Sequence, residues 1–181
     1  MKTKTSIVAL VCLGLLVLSC QKDDAIETTS YNPSPQLVIS GYTAYDLWGN
    51  LTGLVDTSDW LSNVLIPSDI DSLFNTVPDN QNYNGVSDVF SLNDIFVYAN
   101  PFKDAFNLHV EVSDVAVLKL LIVNEQLQVI GAVTTKLNSG TNTLTWALPS
   151  MPSHALCRLY YKLYNNNKQV KNTGFGDIKK Q

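Results

Sequence analysis

The sequence predicts an all-β protein: an immunoglobulin-like antiparallel β-sandwich in the C-terminal half, preceded by a less regular extension containing one short helix. Three observations predict it. From residue 95 onward apolar and polar side chains alternate with period two, and polar turns recur every 8 to 12 residues. One segment, 115–123, is apolar on both faces except for Lys119, as a strand in the middle of a sheet must be.

The chain begins with Lys2 and Lys4, a 12-residue apolar run at 7–18 and the small residue Ser19. This order of basic, apolar and small residues marks 1–19 as a secretory signal, and the run is too short to span a bilayer. It ends in Leu16-Val17-Leu18-Ser19-Cys20, which resembles the lipobox of bacterial lipoproteins. That resemblance implies that the Cys20 thiol is acylated and becomes the first residue of the mature chain. Each buried methylene contributes ~0.8 kcal/mol, so two or three acyl chains anchor a protein durably where one does not. The plainer reading is an ordinary cleaved signal with a chance cysteine at its end. Directly after it, Gln21-Lys22-Asp23-Asp24 is similar to the surface-export signal of Bacteroidota lipoproteins. Lys22, Asp23 and Asp24 would then carry the anchored protein to the outer face of the outer membrane. Without that signal it faces the periplasm.

Residues 20–36 are polar, with Pro33 and Pro35 favouring extended backbone, and read as a tether. The extension, 37–94, starts with a short apolar stretch, Leu37-Val38-Ile39, expected to form a first strand. Tyr42, Tyr45, Trp48 and Trp60 follow among glycines and acids. Exposed, such rings offer apolar faces with polar edges on which sugars stack; the simpler reading is that they cover an open face or end of a sheet. In Pro67-Ser68-Asp69-Ile70-Asp71-Ser72-Leu73-Phe74, Ser68 is a capping residue and Ile70, Leu73 and Phe74 share one helical face. Asp71-Ser72-Leu73 also matches the short O-glycosylation pattern of exported Bacteroidota proteins, with Ser72 as acceptor; otherwise Ser72 is an exposed helix position. Asp79-Asn80-Gln81-Asn82-Tyr83-Asn84-Gly85-Val86-Ser87-Asp88 alternates oxygen side chains ahead of a glycine, somewhat as calcium loops do, with Asn80, Asn82 and Asn84 in the first three ligand positions. Ser91 stands where such a loop ends in a bidentate Glu, so an Asn-rich turn is preferred and no metal is expected.

In the sandwich, 95–181, strands are predicted at 95–99, 105–112, 115–123, 127–135, around Leu144, Trp146 and Leu148, at 155–164 and at 168–179. Phe106, Leu108, Val110 and Val112 point inward opposite Asn107, His109 and Glu111, and Cys157, Leu159, Tyr161 and Leu163 form the matching inward set of the sixth strand. Its other face carries Arg158, Tyr160, Lys162 and Tyr164, a basic aromatic stripe suited either to an acidic glycan or to the chain's own acidic extension. Self-packing is preferred because charge is unevenly spread. Residues 20–94 hold 1 basic against 11 acidic side chains, whereas 95–181 hold 9 basic and 5 acidic.

Val97-Tyr98-Ala99-Asn100-Pro101-Phe102-Lys103-Asp104, Leu108-His109-Val110, Leu121-Ile122-Val123-Asn124, Gly140-Thr141-Asn142, Tyr160-Tyr161 and Thr173-Gly174 together are similar to the C-terminal sorting domain of type IX secretion cargo. Ala99 stands where that family usually has proline, and Cys157-Arg158 replaces its usual glycine. A sorting domain is normally removed after export, so on a lipid-anchored chain the resemblance implies a retained structural or interaction module, with a type IX secretion cargo or accessory component as the alternative.

Several classes are excluded. Without its signal the chain has 10 basic and 16 acidic side chains, a poor match to nucleic acid. His109 and His154 are too few for a histidine zinc site, and no nucleophile elbow, phosphate loop or dinucleotide fingerprint occurs. Cys157, left alone once Cys12 and Cys20 are accounted for, is expected to be an apolar filler. No residue is assigned a catalytic role and no cofactor is expected. The membrane, through the lipid, is the expected partner, with envelope proteins or glycans beside it.

Overall fold

The computed structural model describes residues 36–181, all within one compact unit. The signal, Cys20, Lys22, Asp23, Asp24 and the tether as far as residue 35 lie outside the described residues.

Two antiparallel sheets face each other. Strands β2 (Leu92–Tyr98), β3 (Ala105–Val112) and β6 (Gly140–Ala147) form a three-stranded sheet in the order β2-β3-β6. Strands β4 (Ala116–Asn124), β5 (Val129–Leu137), β7 (Leu156–Tyr164) and β8 (Val170–Lys179) form the second. A two-residue β1 (Leu61–Ser62) pairs with Phe175 and Gly174 and completes the order β1-β8-β7-β4-β5. The seven predicted strands are β2 to β8, with ends shifted by a few residues.

Period-two alternation sets which side chains meet. Val97, Phe106, Leu108, Val110 and Val112 from the small sheet pack on Leu118, Leu120, Ile122, Leu159, Tyr161, Leu163 and Ile178 from the large one, all fully buried or nearly so. Phe102, in the β2–β3 connection, closes the core edge-on to Phe106 at 5.1 Å. Lying between β7 and β5, β4 buries both faces. Its outward residues Val117, Leu121 and Val123 are as buried as its inward ones.

The extension supplies what covers them. Helix α1 (Ser68–Leu73) and the 3-10 turn Phe74–Thr76 lay Ile66, Ile70, Phe74 and Val77 on Leu121, Val123 and Tyr160. Tyr83 and Val86 cover Val117. The shared face of Ile70, Leu73 and Phe74 is as the spacing predicts. The cap is different: Pro67 occupies the N-cap, Ser68 is the first helical residue, and no side chain caps the helix. The strand expected at 37–39 also does not form. The backbone N–H of Leu37 donates to the Glu125 carbonyl in the β4–β5 turn at 2.8 Å, so this segment meets a turn rather than a sheet edge along which a ladder could run.

Candidate functional site

The stripe on β7 is sealed rather than open. Asp177, fully buried on β8, accepts two hydrogen bonds from the Arg158 guanidinium, from Nε at 2.7 Å and Nη2 at 2.8 Å. The same guanidinium lies 4.3 Å from the Phe175 ring centroid. Tyr160 is buried beneath the helical segment, and burial raises the pKa of its hydroxyl. The Lys162 ammonium sits 2.5 Å from Asp71 Oδ1 and 4.5 Å above the Phe74 ring. Tyr164 is half-buried, with Lys119 Nζ 5.4 Å from its ring, and burial pushes its hydroxyl up to about 12. Thus the acidic, apolar extension occupies the face that Arg158, Tyr160, Lys162 and Tyr164 would need free for a glycan. An outward-facing row on an otherwise apolar central sheet has to be covered, and chain already attached to it is the nearest cover.

Asp79 draws the next segment onto the same face. Its Oδ2 lies 3.4 Å from Lys119 Nζ and 3.7 Å from Lys168 Nζ, while Lys136 Nζ donates to the Asn84 carbonyl at 2.6 Å. The calcium-like stretch is therefore furnished with ammonium groups where a metal loop would hold a cation. Among the described residues no cluster of three or more His, Cys, Asp or Glu side chains is present. Ser72 is exposed on α1, its hydroxyl donating to the Asp69 carbonyl at 2.6 Å.

A polar clasp missed by the sequence reading joins the extension to β8. Asn100, fully buried, donates from Nδ2 to the carbonyls of Thr43 and Asp177, each at 2.9 Å, and accepts from the Lys179 N–H at 2.9 Å. Asp59 accepts from the Thr43 N–H at 2.8 Å, the Trp60 N–H at 2.9 Å and the Asp177 N–H at 2.5 Å. Burial nevertheless pushes its carboxyl up to about 6, because the loss of water outweighs the three N–H donors. The available signal was Asn100-Pro101 breaking the strand pattern; nothing local singles out Asp59.

The four aromatics of the extension do not form one platform. Trp60 packs against the core, its indole on Gly176, where any Cβ would collide with the ring. Its Nε1 is buried without a hydrogen-bond partner. Tyr42 lies under Lys179, whose Nζ is 5.2 Å from the ring centroid. Tyr45 stacks on Phe96 at 4.7 Å, and Phe96 stacks on His109 at 4.6 Å, over the outer face of the three-stranded sheet. Only Trp48, 80% exposed, stands free. Of the two readings of Tyr42, Tyr45, Trp48 and Trp60, cover for a sheet describes the placement of Tyr45 and Trp60, whereas Tyr42 lies under an ammonium group and Trp48 alone is left open for a ligand.

Trp48 is held out by its turn. Ala44 exchanges backbone hydrogen bonds with Thr52 and Leu54, and Tyr45 with Asn100, fixing a hairpin across 44–54. At its tip Asp46 accepts from the N–H groups of Trp48 at 2.8 Å and Asn50 at 2.9 Å and from Asn50 Nδ2 at 3.0 Å. Gly49 takes a positive φ of 85°, which favours glycine at this position, and lies against the Phe96 ring. A shallow groove of about 630 Å³ runs from Trp48 past Pro101 and Ala105 to Lys103, Asp104 and Gln181.

The groups with ordinary catalytic potential are spent or apart. Cys157 is buried with its thiol pushed up to about 12 by loss of water, so it stays protonated and poorly nucleophilic. His109 lies under Phe96 on β3, whereas His154 is exposed in the β6–β7 loop.

Fold and surfaces together define the class: an antiparallel β-sandwich with one outer face sealed by its own N-terminal extension. Among solved structures the chain is similar in part to a glycosyl hydrolase family 2 member from Bacteroides cellulosilyticus DSM 14838, with TM-score 0.36 and 13% identity over 50% of this chain and 15% of that one. A second structure of a glycosyl hydrolase family 2 member from Bacteroides cellulosilyticus gives TM-score 0.33 and 12% identity over 47% of this chain and 13% of that one. The chain thus spans less than a sixth of the length of either. No protein-family model matches it, and no curated protein does.

Proposed function

We propose that this protein is a lipid-anchored component of the outer membrane, displayed at the cell surface, that acts as a non-enzymatic interaction or structural module. The observation that carries this reading is Leu16-Val17-Leu18-Ser19-Cys20 followed at once by Gln21-Lys22-Asp23-Asp24. Acyl chains on Cys20 supply the attachment, and the body needs only to be a stable globule beyond the tether. The folded part supports this: its two shortest ion pairs, Arg158 with Asp177 and Lys162 with Asp71, are spent on holding the sandwich and its cover together. The domain similar to a secretion sorting domain is kept in this reading as a permanent structural unit. It therefore has no need of the cleavage that such a domain undergoes.

The test is the mass of the mature N-terminus together with protease treatment of intact cells. Acylation at Cys20, with a body digested from outside, is the expected result. Replacing Lys22, Asp23 and Asp24 by alanine then protects the body without detaching it. An unmodified N-terminus, or a Cys20→Ala variant that still sediments with envelopes, refutes the anchor.

A further inference from the structure

We propose that the hairpin carrying Leu47 and Trp48 is a membrane-contact element, which lays one end of the sandwich on the lipid surface. This deepens the anchored reading and rests on it for the presence of a bilayer close by.

Five of the eleven large apolar side chains exposed on the described surface fall within this hairpin and the residue after it: Leu47, Trp48, Leu51, Leu54 and Val55. Scattered exposed apolar residues are ordinary, but a cluster on one projecting element marks an interaction site. Trp48 is 80% and Leu47 70% exposed. The three hydrogen bonds to the Asp46 carboxylate hold the backbone of the tip in shape, and from it both side chains extend into solvent. Indole is the side chain best suited to the boundary between headgroups and acyl chains, having a large apolar body and one N–H donor.

Where the chain enters decides the occupant. The described body begins beside the β4–β5 turn, where Leu37 bonds to Glu125. The strand register carries that end of the large sheet across: Asn124 stands opposite Cys157, and Leu156 opposite Lys179. Lys179 and Asn100 bond to each other, and Asn100 pairs with Tyr45 at the base of the hairpin. The tether therefore enters at the same end of the sandwich from which Trp48 projects. Val38, 81% exposed, stands next to the entry point. Residues 20–36 reach at most ~55 Å when fully extended, so an anchored body samples the bilayer surface continually, with this end the nearest to its attachment.

The experiment uses the full chain, acylated and as Cys20→Ala, on vesicles of phosphatidylethanolamine and phosphatidylglycerol whose acyl chains are unlabelled or brominated. Bromine quenches indole only within the bilayer's reach, and Trp60 and Trp146, packed on the core, provide the background. The proposal expects quenching in the acylated wild type, most of it lost in Trp48→Phe and weakened in Leu47→Asp, with both variants still attached through the lipid. Equal quenching in wild type and Trp48→Phe, or none in either, overturns it. A Trp48 emission change with soluble polysaccharide and none with brominated vesicles also overturns it, and assigns the hairpin to sugars. Mass analysis separates the two readings. If the N-terminus is unmodified yet Trp48 of the added protein is quenched, the contact element stands and the anchor fails; if the N-terminus is acylated and Trp48 is not quenched, the reverse holds.

Discussion

The two outer faces of the sandwich are covered to very different degrees. Over the five-stranded sheet, β4 presents Val117, Leu121 and Val123 outward, and residues 66–86 bury them with Ile66, Ile70, Phe74, Val77, Tyr83 and Val86. Over the three-stranded sheet, β3 presents Asn107, His109 and Glu111, and a single hairpin suffices, with Tyr45 on Phe96 and Phe96 on His109. The difference teaches that the extent of cover follows the outward row of the strand beneath it. An apolar row leaves hundreds of Å² of hydrocarbon to hide, at ~25 cal/mol per Å², whereas a polar row is already satisfied by water.

The largest effect expected of this contrast is in the thick cover. Phe74→Ala should cost about 3–5 kcal/mol, as other buried aromatic truncations do, read as a fall in the denaturation midpoint. Phe96→Ala on the thin side should cost about 1 kcal/mol, mostly lost stacking. Equal losses would break the comparison. Next comes the buried pair under the cover's edge. Asp177→Ala strands the Arg158 guanidinium, which is 14% exposed, and should cost about 3–5 kcal/mol. Replacing both residues by apolar ones of similar size should recover most of that, measurable in the same denaturation series.

A smaller effect is expected of Asp59. Folded, it keeps its proton up to about pH 6, while the unfolded side chain releases it near its ordinary value of 3.8. Between those values the native state binds more protons. Stability from this group therefore increases as pH falls through the window, by at most ~1.4 kcal/mol per pH unit. Hydrogen bonds lower the pKa of Asp46 and Asp56, which act in the opposite direction and only below about pH 4. In Asp59→Asn the slope between pH 4 and 6 should flatten in urea titrations. The smallest effect is at the rim: Asp71 is half exposed, so Asp71→Ala should cost under ~1 kcal/mol and be largely abolished by salt.

Much of the architecture could be read in advance because period-two patterning is local. Phe106 to Val112 and Cys157 to Leu163 declare their inward faces residue by residue, and the helix over Ile70 and Phe74 declares its own. The candidate site was less legible. Aromatic side chains in an irregular segment carry no period, so nothing in Tyr42, Tyr45, Trp48 and Trp60 says which ring finds a glycine trough such as Gly176 and which is left in solvent. The clasp that Asp59 and Asn100 form was hidden for a related reason, although Asn100-Pro101 does break the strand pattern. Their partners, Thr43, Asp177 and Lys179, lie 16 to 118 residues away, and only the folded chain brings them within hydrogen-bond reach.

By itself, then, the sequence determined the sheets, their inward faces, a central strand apolar on both faces and a preference for the acidic extension packing on the basic stripe, since these follow from alternation and from the uneven charge of the two halves. Tertiary structure alone decided which partners Arg158, Tyr160, Lys162 and Tyr164 take, that Trp60 is core and that Trp48 stands out in solvent. Burial depends on what lies opposite in space, and that is a property of the register between distant segments rather than of any one of them.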